Sequence, residues 1–350
     1  MTRPPGRGRV RRTDVRVVVP AEGTAGAFLT SEGVAAGIPR RLLDSGQYLR
    51  PFRGVRATSP SVELVDRARD LLPLLRPEAA FSHVTAAQLH ELPLSNAIER
   101  DDRLHFVLPI DAPRVRRPGT VCHRVLHERS LVEVRGVRVV DLPDVWVDLG
   151  ELVGRGRPVG LDDLIVVGDA IASRLSSVQP LAASLARRVR PRGKRALVEA
   201  LLEIRVGSRS PRETLTRVML TRCGIPEPTL NQAIIGSSGE LLGVADLNWE
   251  EQRVVGEYQG EEYHSKDDQQ AHDEARRTGF ERDGRSLLEV WKSDLASTEA
   301  RRACVLRFAA ALGCDRSTLN LANCEPRFFS SHALDLALQR DERWRCRREW

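Results

Sequence analysis

The fold of the C-terminal part is decided by the stretch GVADLNWEEQRVVGEYQGEEYH, residues 243–264, which sets two apolar runs on either side of a polar turn. Residues 244–247 and 253–258 are typical of short strands joined by residues 248–252. In such an antiparallel hairpin Asp246 falls about opposite Glu257, where two carboxylates repel by roughly 0.2 to 1 kcal/mol. The pair needs a compensating cation, and Mg²⁺ or Mn²⁺ is suitable because hard cations bind carboxylate oxygens.

Length and composition predict a chain of several domains. The 350 residues, 41% hydrophobic and 29% charged, can bury more than one core, which favours two or three domains. The sequence has no run of about 18 apolar residues, and its basic start has no signal-peptide-like apolar segment after it. These features predict a soluble, cytoplasmic protein with no membrane partner. The six scattered cysteines lack zinc-finger spacing and are expected to be reduced thiols.

Positive charge is concentrated at the N-terminal end. Residues 1–56 contain 11 Arg against four acidic residues, a net +7 in a chain of net +6, so a polyanion is expected to bind there. Residues 1–26 are predicted to form a disordered basic leader. Residues 27–58 predict a helix, a turn, a second helix and a two-stranded wing formed by residues 48–50 and 55–57.

This pattern leaves two interpretations open for residues 27–58. In one, Arg40 and Arg41 at the start of the second helix enter a nucleic-acid groove, while the wing places Arg50, Arg53 and Arg56 on phosphates. In the other, the segment is a small helical domain with solvated arginines. Its sequence resembles the winged helix of AbiEi-type antitoxins from abortive-infection (type IV toxin–antitoxin) systems. That resemblance implies DNA binding as a repressor, a nucleoid location when bound, and a cognate toxin or self-association as further partners.

Residues 59–184 alternate between helical and strand patterns and predict an α+β middle domain. Five histidines fall in it, and their neighbours do not indicate one metal site, so structural or surface roles are predicted; they are His83, His90, His105, His123 and His127. Residues 185–209 carry a basic run before an amphipathic helical stretch. This segment is predicted to be a linker and helix, and the run is either solvated or a phosphate-binding patch.

Residues 210–313 are predicted to form the last domain, and residues 314–350 a C-terminal extension. A helix opens at Pro211 with a capping box between Ser210 and Glu213, which already explains the glutamate. The order that follows is strand, strand, helix, strand and helix. This order matches the PD-(D/E)XK nuclease fold, a mixed sheet flanked by helices, and EYQGEEYH (257–264) resembles the corresponding motif of very-short-patch-repair endonucleases.

The resemblance implies a metal site on this domain. Position by position, Asp246, Glu257 and Glu213 match the metal ligands, and His264 matches a histidine implicated as general base. Gln259 stands on the same strand face as Glu257, where the superfamily usually has lysine and close relatives often have aspartate. The catalytic set predicted on this basis is Asp246, Glu257, Gln259 and His264, with Mg²⁺ or Mn²⁺ as cofactor.

The sequence thus predicts a multi-domain α+β protein with an N-terminal winged helix, a middle domain and a restriction-endonuclease-like C-terminal domain. Two functions remain open. One is a DNA-binding, Mg²⁺-dependent endonuclease. The other is a non-catalytic, antitoxin-like transcriptional regulator that keeps a degenerate nuclease fold, which Gln259 favours. Taken singly, Asp246 and Glu257 are also compatible with solvent-facing strand charges.

Overall fold

The computed structural model describes residues 26–154, 157–259 and 276–328. These described residues form a mixed α+β structure with three sheets, which confirms the predicted α+β class. The chain divides into two compact units. Unit 1 runs to Ala79 and includes Arg135–Val137, whereas unit 2 comprises Ala80–Val134 and the chain from Arg138 onward. Unit 1 therefore extends past the boundary predicted at residue 58, and the segment predicted as a linker lies inside unit 2.

Unit 1 is built on a two-stranded sheet with short helices. Its elements are β1 (Ala27–Leu29), α1 (Thr30–Ala35), α2 (Arg40–Leu43), β2 (Val55–Ala57) and α3 (Leu64–Leu71). β1 pairs antiparallel with β2. The helices are held by a small apolar core in which the rings of Phe28 and Tyr48 meet edge to face, with centroids 5.8 Å apart.

The wing differs from its prediction. The stretch predicted as its first strand, residues 48–50, makes only a single bridge, from Leu49 to Ala57. The main partner of β2 is instead β1, which precedes α1. β1 occupies this sheet edge because its Ala27 and Phe28 are both buried. Burial of these apolar side chains stabilises the paired strand more than the start of a helix would.

The first half of unit 2 is a five-stranded sheet covered by helices. Its elements are β3 (Ala80–Phe81), α4 (His83–Leu89), α5 (Asn96–Glu99), β4 (Leu104–Val107), β5 (Thr120–His123), β6 (Leu131–Val134), β7 (Val137–Val140), α6 (Leu142–Gly150), α7 (Leu161–Leu175), α8 (Gln179–Arg187) and α9 (Lys194–Glu203). The strand order is β5-β4-β3-β7-β6. β4 is parallel to β5 and antiparallel to β3, so the sheet is mixed.

Close backbone contact determines how α6 and α9 pack. Gly193, the residue before α9, has a left-handed backbone with φ +71°, and a Cβ built there would lie 1.9 Å from the carbonyl oxygen of Gly150. A side chain is therefore excluded at this position. Beside this contact, the fully buried Trp146 donates its indole N–H to the carbonyl oxygen of Leu164 at 2.9 Å, which joins α6 to α7.

The second half of unit 2 contains the hairpin. Its elements are α10 (Pro211–Arg222), β8 (Thr229–Ile235), β9 (Leu241–Trp249), β10 (Val254–Tyr258), helical residues 276–282 (α11), β11 (Ser286–Val290) and α12 (Thr298–Ala311). The sheet order is β11-β10-β9-β8. β10 is antiparallel to β9 and parallel to β11, so the predicted hairpin is confirmed.

Helices cover both faces of this sheet. On one face Leu247 and Trp249 pack with Phe308 of α12 and Leu220 of α10. On the other face Phe280 of α11 packs against Ile234, Ala245 and Val255. The first residues of the predicted C-terminal extension also belong to unit 2, because the backbone N–H of Arg327 donates to Asp162 at 2.8 Å.

Candidate carboxylate site and histidine cluster

The hairpin register places the two predicted carboxylates side by side. The pairing of β10 with β9 runs from Val254 with Trp249 to Gly256 with Leu247, and Glu257 and Asp246 are the next residues outward on the two strands. The backbone N–H of Tyr258 donates to Oδ2 of Asp246 at 2.9 Å. The cross-strand neighbourhood that the sequence predicted is therefore present.

Glu213 reaches the same part of the sheet through β8. The register pairs Leu230 with Leu247 and Gln232 with Ala245, which leaves Asn231 opposite Asp246. Asn231 donates its side-chain N–H to Glu213 at 2.7 Å. Half of the predicted capping box is present, since Ser210 Oγ accepts from the N–H of Glu213 at 3.2 Å. The other half is not: the Glu213 carboxylate accepts from the backbone of Arg209 at 2.9 Å instead of returning to Ser210.

The charges of this site are only partly balanced. Burial raises the pKa of Asp246, and the negative charge of Glu213 raises it further. The opposing influences are the hydrogen bond from Tyr258 and the charge of Arg276. The guanidinium of Arg276 lies 2.6 Å from Oε1 of Glu257, whose side chain is only 7% exposed. Arg276 therefore neutralises Glu257 while Asp246 carries an unfavourable buried charge.

We tested the fit of this site to a divalent cation on its donor atoms. Among described residues, the carboxylate oxygens of Glu213, Asp246 and Glu257 do not all lie within 4.8 Å of one another. Their chemistry suits a hard cation, and an ion would remove the repulsion that raises the pKa of Asp246. Binding at Glu257 would require Arg276 to release its oxygen.

Two other predicted site residues can be placed only in part. The backbone N–H of Gln259 donates to the carbonyl oxygen of Val290 at 2.8 Å, which extends the pairing of β10 with β11. Its side chain is half-buried. His264 lies outside the described residues.

In unit 1 three of the five predicted DNA-binding arginines, Arg40, Arg50 and Arg56, contact Asp44. Asp44 accepts from Arg40 at 3.0 Å and from Arg56 at 2.5 Å, and Arg50 donates to its backbone carbonyl. Arg56 is buried and also donates to the carbonyl oxygen of Leu43 at 2.6 Å. A phosphate contact by Arg56, as the sequence predicted, would require it to leave these partners. Arg40, Arg41, Arg50 and Arg53 are exposed.

A histidine cluster in unit 2 was missed by the sequence interpretation. Nitrogens of His83, His105 and His123 lie within 4.8 Å of one another. The rings of His83 and His123 stack at 3.4 Å with planes 15° apart. Because a histidine binds a metal in the plane of its ring, two nearly parallel rings cannot both bind an ion between them without rotating. The stacked arrangement therefore favours hydrogen bonding over metal binding.

Buried ion pairs support this cluster. Asp148 is fully buried, and although burial alone would raise the pKa of its carboxyl, His83, Arg129 and Arg188 hold it below its usual value. Arg129 donates to Asp148 at 3.0 Å, and Arg188 from the predicted basic run also donates to it. Arg187 from the same run donates to Asp144 at 2.9 Å. These two arginines are thus structural partners of α6.

Little in the amino-acid sequence indicates this histidine cluster. His105 and His123 fall on segments that the sequence predicted as strands, but their proximity depends on the parallel pairing of β4 with β5. Parallel strands are joined by crossovers whose pairing a single sequence does not reveal.

No helix in the part of the chain that the structure describes is both long and apolar enough to cross a membrane. Comparison of the chain with protein-family models, curated proteins and solved structures gave no match.

Proposed function

We propose that the chain is a DNA-binding protein whose C-terminal domain, of the PD-(D/E)XK type, binds Mg²⁺ or Mn²⁺ and cleaves phosphodiester bonds. The connectivity supports this proposal: α10, three strands, α11, β11 and α12 form a mixed sheet with helices on both faces. This is the architecture that the resemblance to very-short-patch-repair endonucleases implies.

One observation carries the proposal: Asp246 and Glu257 lie on neighbouring strands just beyond the pair of Gly256 with Leu247, and the pKa of Asp246 is raised by burial and by Glu213. Arg276 supplies a partner charge for Glu257, whereas burial and Glu213 outweigh the favourable contacts of Asp246, so its ionised form carries a free-energy cost. Perturbed pKa values of this kind are concentrated at functional sites.

The residues have distinct roles in the proposed reaction. Glu213, Asp246 and Glu257 would hold the ion through carboxylate oxygens. When bound, such an ion supplies Lewis-acid activation of a phosphate oxygen and of water. Asn231 positions Glu213 through its 2.7 Å hydrogen bond, and the N–H of Tyr258 positions Asp246. By the family resemblance, His264 would accept the proton of the attacking water.

Cleavage of supercoiled plasmid with Mg²⁺ or Mn²⁺ tests this function. The wild-type chain is expected to nick or cut the plasmid, and Asp246→Asn and Glu257→Gln to abolish cutting. Glu251→Gln is the matched control, because it removes an exposed carboxylate of the same hairpin and should leave the rate unchanged. Equal cutting by wild type and Asp246→Asn would indicate a contaminating nuclease and reject the assignment.

Arg276 favours a second candidate, a non-catalytic DNA-binding regulator. Its guanidinium supplies at Glu257 the positive charge that an ion would supply, and Gln259 stands where the superfamily usually has lysine. On this alternative the wild-type chain binds DNA and cuts none. A mobility shift that persists in EDTA, with no cutting in Mn²⁺, would support it.

The proposed DNA contacts in unit 1 rest on exposed positive charge. The side chain of Arg40 is 68% exposed and pairs with Asp44 on the surface of α2, and Arg41 beside it is also exposed. If Arg41 binds a phosphate, Arg41→Ala should weaken binding and lower the slope of log affinity against log salt by about 1. The charge-matched control is Arg302→Ala on α12, which should leave the slope unchanged.

A further inference from the structure

A strongly basic pocket lies beside the histidine cluster. Its volume is about 710 Å³, and its lining contains arginines and histidines but neither aspartate nor glutamate. Six arginines from four segments of unit 2 line it: Arg103, Arg114, Arg116, Arg117, Arg157 and Arg192. Arg103 is already paired with Asp101, which lies outside the lining, at 2.7 Å. The other five arginines, with no carboxylate among the lining residues, favour an anion with several oxygens, because each guanidinium presents a planar array of donors.

The pocket also contains one end of a hydrogen-bond chain. Asp101 lies within 3.1 Å of Nε2 of His105, and Nδ1 of His105 lies 3.1 Å from Nε2 of His123. His105 and His123 both line the pocket. Among described residues, Nδ1 of His123 has no hydrogen-bond partner.

The protonation states along this hydrogen-bond chain follow from the pKa values of its three members. Hydrogen bonds from Arg103 lower the pKa of Asp101 to about 2, so at neutral pH its carboxylate only accepts. Burial lowers the pKa of His105 to about 4, and burial together with neighbouring positive charges lowers the pKa of His123, so both rings are neutral. A neutral imidazole has one donor and one acceptor nitrogen.

Only one arrangement of protons satisfies these bonds. His105 donates from Nε2 to Asp101, so its Nδ1 must accept. His123 then donates from Nε2 to His105, and its own Nδ1 is left as an acceptor. The lining therefore combines several cationic donors with a neutral imidazole acceptor on His123.

We propose that this pocket is a second ligand site, which binds a phosphate group carrying or adjoining an O–H donor. The arginines bind the phosphate oxygens, and Nδ1 of His123 accepts the hydrogen bond of the O–H. Hydrogen phosphate is the simplest such ligand, and a phosphorylated sugar with a hydroxyl beside its phosphate offers the same groups. The site is separate from the carboxylates of the proposed nuclease domain and does not depend on that function.

Sulfate provides a discriminating comparison, because at neutral pH it has the shape and charge of hydrogen phosphate but no proton to donate. Calorimetric titration of the full chain at matched ionic strength should give about tenfold or more tighter binding of phosphate than of sulfate, since sulfate would place an acceptor against the acceptor of His123. Equal binding of the two anions, or binding of neither, would overturn the proposal.

Variants assign the binding to this pocket. Arg116→Ala is expected to weaken phosphate binding several-fold, whereas Arg302→Ala, which removes the same charge elsewhere on unit 2, should not. If the two substitutions weakened binding equally, the effect would come from the net charge of the protein, and binding at this pocket would be contradicted.

Asp101→Asn tests the proton chain itself. The amide oxygen is expected to keep the two bonds that Oδ1 accepts from the backbone N–H and Nε of Arg103, and the bond from Nη2 to Oδ2 would be lost. The amide N–H₂ would then face His105 and reverse both tautomers. Nδ1 of His123 would then become a donor, and the preference for phosphate over sulfate should disappear while anion binding persists. A preference unchanged in this variant, once its fold is verified by circular dichroism, would contradict the proton chain.

If Asp101→Asn fails to fold, the comparison of phosphate with sulfate binding by the wild-type chain still tests the proposal. Titration with 3′-AMP, whose 2′-hydroxyl adjoins the phosphate, then distinguishes the sources of the ligand. Binding of 3′-AMP tighter than that of inorganic phosphate would assign the site to a phosphorylated sugar, and the reverse order to the free anion.

Discussion

At the scale of single residues, the charge of Asp246 determines both stability and the proposed function. The pKa of this carboxyl is raised in the folded chain above the ordinary value of 3.8, by burial first and then by Glu213. For a carboxyl with a raised pKa, the stability contributed by its protonated form is complete below the unfolded pKa and is lost as pH rises through the folded pKa. At neutral pH the ionised Asp246 is therefore a cost to the fold.

We predict that Asp246→Asn is more stable than the wild-type chain at about pH 7 in EDTA. Asparagine keeps an oxygen for the N–H of Tyr258 and carries no charge. The difference in unfolding free energy should shrink as pH falls through the raised pKa, and become constant below 3.8, where the aspartate is protonated in both states. Urea unfolding at several pH values measures it, and a variant less stable than wild type at neutral pH would contradict the charge argument.

A second residue-scale prediction concerns Arg217, which is buried on α10. It donates to Asp169 of α7 at 2.9 Å and to the carbonyl oxygen of Glu203 at 2.9 Å. Burial raises the pKa of Asp169 while Arg217 opposes that rise. Arg217→Ala would leave a buried charge unpaired, so we expect a loss of about 3 to 5 kcal/mol in unfolding free energy.

The control for this prediction lies on the same helix. Arg212→Ala removes an exposed arginine and should change stability by no more than about 0.5 kcal/mol. Adding Asp169→Asn to Arg217→Ala should recover part of the loss, because the residue left behind is then uncharged. If Arg217→Ala and Arg212→Ala had equal effects, the buried pair would not be a stabilising contact.

The sequence predicted which residue types belong to these sites better than it predicted the contacts that each side chain makes. Clustered arginines in residues 27–58 were visible, but only the structure shows that Arg56 is buried against Asp44 while Arg41 is exposed. Both side chains are long and fully charged, and sequence spacing does not determine where a guanidinium ends.

At the scale of secondary-structure elements, a strand could be predicted where its apolar and polar residues form a clear pattern. β9 and β10 carry apolar runs around a polar turn, and their hairpin was predicted with the correct register. β8, TLNQAII, was not identified, because most of its side chains are exposed or half-buried and give no clear apolar face. Only the structure shows that β8 is the fourth strand of this mixed sheet.

A prediction for helix packing concerns Gly193, before α9. Gly193→Ala should cost at least about 1 to 2 kcal/mol from its left-handed backbone alone, and more from the clash with the carbonyl oxygen of Gly150. Gly46→Ala is the control, since a Cβ there meets nothing within 4 Å and the backbone is not left-handed. Thermal unfolding should show a clear loss for the first substitution and almost none for the second.

At the scale of the whole molecule, the division into units was less predictable than the elements. The chain was expected to divide near residues 58 and 185–209, yet unit 1 continues to Ala79 and unit 2 contains both the middle segment and the hairpin. The buried pair of Asp169 with Arg217 joins α7 to α10 within that unit. A basic run in sequence resembles a linker whether its arginines are solvated or bound to buried aspartates, as Arg187 and Arg188 are.

The histidine cluster illustrates the same difficulty at long range. His83, His105 and His123 are separated by about twenty residues each, and they meet because β3, β4 and β5 are neighbours in one sheet. Their convergence is a property of the topology, so no local pattern predicts it.

The central claim is that Asp246 and its neighbouring carboxylates hold a divalent cation. Calorimetric titration of Mn²⁺ into the full chain tests it most directly, with Asp246→Asn and the exposed-hairpin control Glu251→Gln measured alongside. We predict one saturable site in the wild type and in Glu251→Gln, lost in Asp246→Asn. Equal binding by Asp246→Asn, or no saturable binding by the wild type, would contradict the claim.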